Sequence, residues 1–128
     1  MSKKKVMVLD DEEHFLKIMK LNLDLTQDYD TLTLSSAEDI LKHVHAFKPD
    51  IIILDLLIGN IRGLDVCQML NNDPTARGIP IIIFSALDKD KDKIKAFELG
   101  AKDFLVKPLE INVLTSAIKK ILGAKEGQ

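Results

Sequence analysis

Apolar residues recur along the chain in two alternating arrangements, short unbroken runs and longer stretches with helical spacing. The runs are bounded by turn residues, a pattern typical of strands buried on both faces of a parallel sheet. They predict five strands, at residues 5–9, 29–34, 51–54, 81–84 and 103–106. Between them, apolar residues recur every three or four positions, which indicates amphipathic helices. Five strands alternating with five helices predict an α/β fold with a doubly wound parallel sheet.

Local signals predict where several helices begin and end. Ser35 or Ser36 is expected to cap the second helix, and Ser35 and Glu38 have the Ser-x-x-Glu spacing of a capping box. Gly100 stands where a glycine follows the last turn of the fourth helix. The fifth helix is expected over about 110–122, with Gly123 ending it. The buried side of the fourth helix is expected to consist of Ile94, Phe97 and Leu99.

Length and composition are those of one globular domain. The 128 residues carry a net charge of −2, so no strong field draws the chain to nucleic acid or to an anionic membrane. We expect a domain over residues 1–123, with 124–128 as a polar tail or the start of a linker. Cys67, the single cysteine, lies in an apolar helical pattern and is expected to be a packed thiol. With neither a signal peptide nor a membrane-spanning stretch evident, these features predict a cytoplasmic protein.

Polar residues stand at the carboxyl ends of four predicted strands. Asp10 and Asp11 follow the first strand, and Asp55 follows the third. Ser85 follows the fourth strand and Lys107 the fifth. The carboxyl ends of parallel strands share one edge of the sheet, where ligands bind in open α/β folds. We therefore expect these five side chains to converge in one pocket.

The charges in such a pocket do not balance. Two carboxylates about 5 Å apart repel by roughly 3 kcal/mol at an effective dielectric near 20, and one lysine cannot neutralise three of them. The site needs a divalent cation or a carboxyl group with a raised pKa. Oxygen ligands of this kind suit Mg²⁺, and a bound Mg²⁺ favours a phosphate nearby. Asp55 would then be able to attack phosphorus and become an aspartyl phosphate.

Four segments carry a specific resemblance. They are VLDDEEHFL (8–16), PDIIILDLLIGNIRGLDV (49–66), IPIIIFSAL (79–87) and GAKDFLVKPL (100–109). Together they resemble the receiver domain of two-component response regulators, which is CheY-like, over residues 5–122. The resemblance implies a flavodoxin-like five-stranded sheet with strand order 2-1-3-4-5 and five helices.

The resemblance implies a metal site around the phosphoacceptor. Asp55 matches the phosphoacceptor position, and Asp11 matches a direct ligand of Mg²⁺. Asp10 would assist through water, while Asp55 itself and the main-chain carbonyl of Leu57 would complete the protein ligands.

The remaining matched positions would handle the phosphoryl group. Ser85 would donate a hydrogen bond to it, the amide of Ala86 and the segment at Leu57 would assist, and Lys107 would pair with a phosphoryl oxygen. The peptide bond before Pro108 is typically cis in this family. Ser85 and Phe104 occupy the switch positions.

The implied function is a phosphorylation-activated signalling switch. The phosphoryl group would come from the phosphohistidine of a sensor histidine kinase or phosphotransfer protein, and the protein would catalyse only its own phosphorylation and dephosphorylation. The face formed by the fourth helix, fifth strand and fifth helix would control a C-terminal output domain, a separate effector or a phosphorylation-dependent dimer. Its lysines are interspersed with acids, which argues against direct nucleic-acid binding. No membrane partner is expected. The first strand begins close behind Met1, which predicts a receiver at the start of its protein.

Some positions depart from the family pattern. Gly59 stands where proline is common, and Arg62 where aspartate is common, so we expect a more flexible loop. Leu57 and Leu87 lie near the presumed path of the hydrolytic water. Because neither side chain can orient water, we hypothesise slow self-dephosphorylation.

Three alternative functions differ from the receiver in the residues that they require. A phosphatase of the dehalogenase type needs a second aspartate at the position of Leu57, which counts against it. A nucleotide-binding flavodoxin-like protein needs a glycine-rich loop after the first strand, where this chain has acids. A pseudo-receiver, a docking module that is never phosphorylated, remains the alternative function.

Overall fold

The computed structural model describes residues 3–126. Its seven strands are β1 (Lys4–Leu9), β2 (Tyr29–Leu34), β3 (Ile51–Leu54), β4 (Leu57–Ile58), β5 (Ile61–Arg62), β6 (Ile81–Ser85) and β7 (Ala101–Val106). Its five helices are α1 (Glu13–Leu25), α2 (Ile40–Phe47), α3 (Gly63–Asn72), α4 (Asp90–Glu98) and α5 (Ile111–Glu126).

Five strands form one parallel sheet in the order β2-β1-β3-β6-β7. β4 and β5 form a separate antiparallel hairpin, so the sheet has the predicted order 2-1-3-4-5 when its own strands are counted along the chain. The predicted fold class is therefore confirmed. β3 lies in the middle of the sheet and all four of its residues are buried, which explains its unbroken apolar run.

Alternate residues of the strands supply two hydrophobic layers. One layer joins the sheet to α2, α3 and α4 through residues that include Met7, Leu9, Ile40, Val44, Ile52, Leu54, Val66, Cys67, Leu70 and Ile83. The other joins it to α1 and α5 through residues that include Val6, Val8, Leu16, Met19, Ile51, Ile53, Leu114 and Ile118. Each large apolar side chain that is fully buried contributes about 1.5–3 kcal/mol. Cys67 is buried in the first layer, as predicted, and burial raises the pKa of its thiol to about 12.

The capping box predicted for α2 is wrong. The Ser36 hydroxyl accepts a hydrogen bond from the Glu38 N–H at 3.0 Å, and the helix begins only at Ile40. Asp39, just before the helix, has a φ of 56°. The serine side chain thus forms a local turn, which competes with helix initiation. Residues 35–38 therefore belong to the loop after β2 and not to the first turn of α2.

The predicted buried side of α4 is largely wrong. Ile94 and Phe97 are 60% and 48% exposed, whereas Ala96 is fully buried and Leu99, just after the helix, packs partly buried against the core. The small Ala96 lets the helix lie close to its neighbours in the fold. Consequently the larger side chains at Ile94 and Phe97 remain on the outer side. Ile94 and Phe97 thus lie among the lysines on the outer surface of α4.

Two predicted helix ends have different outcomes. Gly100 follows α4 with a φ of 102° and donates its N–H to the Phe97 carbonyl at 3.1 Å, as expected for a glycine that ends a helix. Gly123 does not end α5, which continues to Glu126. A glycine inside a helix lowers stability by about 1 kcal/mol relative to alanine, and this penalty does not end the helix here. Residues 127–128 of the predicted tail lie outside the described residues. Among the helices described, none has the length and apolar character required to cross a membrane.

Candidate functional site

Main-chain hydrogen bonds hold the predicted site residues at the carboxyl edge of the sheet. The Asp10 N–H donates to the Leu34 carbonyl, and the Asp55 N–H donates to the Leu9 carbonyl, each at 3.1 Å. The Lys107 N–H donates to the Ser85 carbonyl at 2.8 Å. These bonds continue the parallel ladders one step beyond the apolar runs. The backbone of Asp10, Asp55 and Lys107 is therefore held in place by the same kind of hydrogen bond that joins the strands before them.

Three carboxylates cluster at this edge. Asp10, Asp11 and Asp55 each offer one oxygen, and these oxygens lie within 4.8 Å of one another. Asp10 and Asp55 are only 2% and 8% exposed, whereas Asp11 is exposed. Burial raises the pKa of Asp10, although hydrogen bonds from Lys107 and from the Glu12 N–H act in the opposite direction. The negative charge of Asp55 adds to the increase.

Lys107 connects two of these acids. Its Nζ lies 2.8 Å from Oδ2 of Asp10 and 3.2 Å from Oδ2 of Asp55. Burial by itself would lower the pKa of Lys107, but the hydrogen bonds and charges of the two carboxylates outweigh it and raise that pKa. One ammonium against three carboxylates leaves excess negative charge. This oxygen-rich, negatively charged cluster fits a hard divalent cation such as Mg²⁺.

Two aromatic rings lie behind Lys107. Its Nζ is 5.1 Å from the ring centroid of Phe15 and 5.4 Å from that of Phe84, and the two centroids are 5.3 Å apart. A cation near an aromatic face gains about 0.5–1 kcal/mol or more. No site role was predicted for these two rings from the sequence. Their positions do indicate one, because Phe84 directly precedes Ser85 and Phe15 lies on the first turn of α1 after the acidic pair.

The residues predicted to contact a phosphoryl group lie around the same pocket. Ser85 is buried, and its hydroxyl accepts a hydrogen bond from the Leu87 N–H at 3.3 Å. A hydroxyl has one donor and two acceptor positions, so this contact is compatible with donation elsewhere. Ala86, exposed, lines a groove beside Lys107. The Leu57 N–H donates to Oδ1 of Asp55 at 3.2 Å.

Two further predictions concern β7 and the chain after it. Phe104 lies on β7, half-buried against the α2–α4 side of the sheet, and Lys93 Nζ lies 5.8 Å from its ring centroid. The peptide bond between Lys107 and Pro108 is cis, which confirms the expectation.

The loop after Asp55 contains a short hairpin that was not predicted from the sequence. Leu57 pairs with Arg62 and Ile58 with Ile61 in the β4–β5 hairpin. Gly59, at the tip, has a φ of 60° and donates its N–H to Oδ2 of Asp11 at 3.0 Å.

Gly63, which follows the hairpin, approaches the backbone of Asp55 and Leu56. Its N–H donates to the Leu56 carbonyl at 2.6 Å. A Cβ at Gly63 would collide with the Asp55 carbonyl oxygen and the Leu56 Cα. The position therefore requires glycine because of close backbone approach.

The sheet and its acidic, lysine-containing edge define a doubly wound α/β protein of the receiver type. The family model described as response regulator receiver domain matches residues 6–119, and the chain belongs to this family of two-component signalling domains.

Relatives of known identity share this domain. The chain is 35% identical over 123 residues to the alkaline phosphatase synthesis transcriptional regulatory protein PhoP of Bacillus subtilis, covering 96% of this chain and 50% of that protein. It is 32% identical over 117 residues to the response regulator PleD of Caulobacter vibrioides, covering 91% of this chain and 26% of that protein. The chain thus spans half or less of the length of these two relatives.

Solved structures agree on the fold. A putative response regulator from Chloroflexus aurantiacus superposes with a TM-score of 0.85 at 29% identity, covering 95% of this chain and 99% of that one. A CheY-like receiver domain protein from Methanospirillum hungatei gives a TM-score of 0.90 at 18% identity, covering 98% of each chain.

Proposed function

We propose that Asp55 accepts a phosphoryl group from the phosphohistidine of a sensor histidine kinase or phosphotransfer protein. The carboxylate oxygen forms a bond to phosphorus as the phosphorus–nitrogen bond of the donor breaks, and the imidazole leaves. The observation that carries this proposal is the position of Lys107 Nζ, 3.2 Å from the carboxylate of Asp55. A fixed cation next to the nucleophile stabilises charge on the group being transferred.

Mg²⁺ is the cofactor in this proposal. Asp11, Asp55 and the main-chain carbonyl of Leu57 would hold it, with Asp10 assisting through water. The clustering of three carboxylate oxygens within 4.8 Å supports this assignment. When bound, the ion would neutralise negative charge on the phosphoryl oxygens.

The protein's own groups orient the phosphoryl group. Lys107 pairs with one phosphoryl oxygen, and the Ser85 hydroxyl and the Ala86 amide donate hydrogen bonds to others. Charge-assisted hydrogen bonds of this kind are roughly twice as strong as neutral ones. The closeness of Lys107 to Asp55 before reaction means that this cation needs little reorganisation.

The donor would reach Asp55 along an apolar groove beside the site. The groove has a volume of about 490 Å³, and its charged lining residues are Lys107 and Glu12. Its apolar lining includes Phe15, Ile18, Pro108, Leu109 and Ile111. An apolar surface next to the nucleophile supports docking of a partner protein at this point.

Phosphorylation would act as a two-state switch. It adds nearly two negative charges at the sheet edge. Ser85 moves toward the phosphoryl group, and Phe104 turns into the space that it leaves. A shift from 1:99 to 99:1 requires roughly 5.5 kcal/mol of preference for the active form, which several charge-assisted contacts and a bound cation can supply.

The output surface in this proposal is the face of α4, β7 and α5. The exposure of Ile94 and Phe97 among lysines supports a protein-docking role for it. The target is an output domain that follows the receiver, a separate effector or a second copy of this domain, and the surface does not bind nucleic acid directly. The two relatives are longer than this chain, which supports an output domain elsewhere in the same protein.

The test is incubation of the protein with Mg²⁺ and acetyl phosphate, followed by intact mass measurement. We expect a gain of one phosphoryl group, lost in Asp55→Asn and after removal of Mg²⁺ by chelation. Asp88→Asn is the matched control, because Asp88 is an exposed carboxylate after β6 that is outside the acid cluster. If neither acetyl phosphate nor any kinase produces an adduct, the pseudo-receiver alternative is correct instead.

A further inference from the structure

The tip of the β4–β5 hairpin contacts the exposed member of the acid cluster. The Gly59 N–H donates to Oδ2 of Asp11 at 3.0 Å, between residues 48 positions apart in the chain. Proline, which is common at this position in the family, has no N–H to donate. The contact therefore depends on the glycine that this chain has at position 59 in place of the family's common proline.

The hairpin gives the Gly59 amide a defined direction. Ile58 and Ile61 pair on either side of the tip, and Ile58 is only 2% exposed, which anchors β4 in the core. Gly59 is the first of two tip residues and has a φ of 60°. Glycine with positive φ at this place fits the type II′ turns that join paired strands. Proline could not adopt this conformation, because its ring restricts φ to about −65°.

The acceptor is the carboxylate that is least restrained by burial. Asp10 and Asp55 are buried and both contact Lys107, whereas Asp11 is exposed. A backbone N–H donated to a carboxylate is a charge-assisted hydrogen bond, which restricts rotation of the side chain. Groups that hydrogen-bond a metal-binding carboxylate typically change metal affinity by about 10–100-fold.

We propose that the Gly59 N–H is a positioning donor for Asp11, which holds this carboxylate beside Asp10 and Asp55 in a conformation ready for a divalent cation. The inference rests on the proposed Mg²⁺ site for its functional meaning. The hydrogen bond itself is independent of that function.

The first experiment examines the hydrogen bond without metal. Amide exchange of Gly59 is measured by NMR in the metal-free protein and in Asp11→Ala. We expect Gly59 exchange to accelerate about tenfold in Asp11→Ala while the amides of β1 and β3 are unchanged. Asp11→Asn retains an acceptor oxygen and should preserve most of the protection. Equal Gly59 exchange in all three proteins would overturn the proposal.

The second experiment measures binding of Mg²⁺ alone by calorimetric titration of the unphosphorylated protein. Gly59→Pro removes the donor and should weaken Mg²⁺ binding by about tenfold or more. Gly59→Asn keeps the N–H, and asparagine is the side chain that best tolerates positive φ, so it should lose less affinity than Gly59→Pro. Asn60→Ala alters the neighbouring tip residue and is the control for general effects on the loop.

A combined variant separates positioning from distortion of the hairpin. In Asp11→Ala, further substitution by Gly59→Pro should leave the residual Mg²⁺ affinity unchanged, because the acceptor is already absent. An equal loss in both backgrounds would mean that the proline acts through the loop and would overturn the proposal. Absence of Mg²⁺ binding by the unaltered protein would contradict the proposed function and the positioning role together. The exchange experiment then still shows whether the Gly59–Asp11 hydrogen bond exists.

Discussion

The Nζ of Lys107 lies 2.8 Å from Oδ2 of Asp10, a carboxylate that is 2% exposed. Asp10 thus holds the ammonium at the sheet edge, where it also reaches Asp55. The rings of Phe15 and Phe84 lie beside the same ammonium and limit its contact with water. The site is therefore assembled around Lys107 in the unphosphorylated protein, at the cost of confining an ionised Asp10.

Asp10→Asn should make the metal-free protein more stable. Burial of the ionised carboxylate is the main penalty at this position, and repulsion by Asp55 adds to it. Loss of the Lys107 contacts offsets part of the gain, so we expect a net increase of about 1 kcal/mol. Because the substitution removes a negative charge from the proposed Mg²⁺ site, added Mg²⁺ should stabilise the variant less than the original protein. Urea unfolding with and without Mg²⁺ measures both effects, and Asp88→Asn is the control. A destabilised metal-free variant would show that the Lys107 pairing outweighs the cost of burying the Asp10 charge.

Gly63→Ala should destabilise the fold and displace the backbone of Asp55 and Leu56. The added Cβ would collide with backbone atoms of Asp55 and Leu56, which cannot move aside as a flexible side chain would. Overpacking of this kind costs about 1–3 kcal/mol, and backbone contact favours the upper part of that range. Chemical denaturation measures the loss. Gly78→Ala is the matched control, since a Cβ there meets nothing within 4 Å, and it should be nearly neutral. Equal stability of the two variants would contradict the close approach at Gly63.

Cys67 should make stability fall with pH in the alkaline range. Its thiol has a pKa of about 12 in the folded protein, against an ordinary value of 9.0. Between pH 9 and pH 12 the folded state therefore retains the proton while the unfolded state loses it. The contribution of this thiol to the free energy of unfolding is fully present below pH 9 and is lost as pH rises toward 12. The slope from one such group is about 1.4 kcal/mol per pH unit.

Denaturation of the original protein and of Cys67→Ala across this range measures the difference. The alanine variant should be less stable near neutrality, because it leaves a cavity, and should lack this component of the slope. In the original protein, thiol reagents should label Cys67 only as fast as the protein opens. Rapid labelling under native conditions would contradict the burial of this side chain.

The phosphorylated form should lose its phosphoryl group slowly. This prediction rests on the proposed function and on the two apolar side chains at Leu57 and Leu87, which cannot orient a hydrolytic water. Leu57→Asn introduces an amide at an exposed position next to Asp55 and should accelerate hydrolysis. Met69→Asn is the control, as Met69 is an exposed apolar residue on α3. Intact mass at intervals after removal of the donor gives the rates, and a half-life of seconds in the original protein would contradict the prediction.

The sequence alone determined the sheet and the residues at its edge. Continuous apolar runs such as 51–54 identify strands buried on both faces, and the residue after each run must lie at the carboxyl edge because the strands are parallel. The resemblance of the four segments supplied the strand order, which the topology confirms. These features depend on short-range periodicity and on rules of chain connection, so a single sequence contains them.

Tertiary structure decided which atoms meet. The exposure of Ile94 and Phe97 on α4 depends on how closely Ala96 lets that helix approach, and an apolar pattern does not specify the distance. The Lys107–Asp10 pairing and the Gly59–Asp11 hydrogen bond join positions far apart in the chain, and they form only when packed layers bring the loops together. Periodicity assigns a residue to a face of the fold, whereas contacts of a few ångströms arise from the packing of the whole domain.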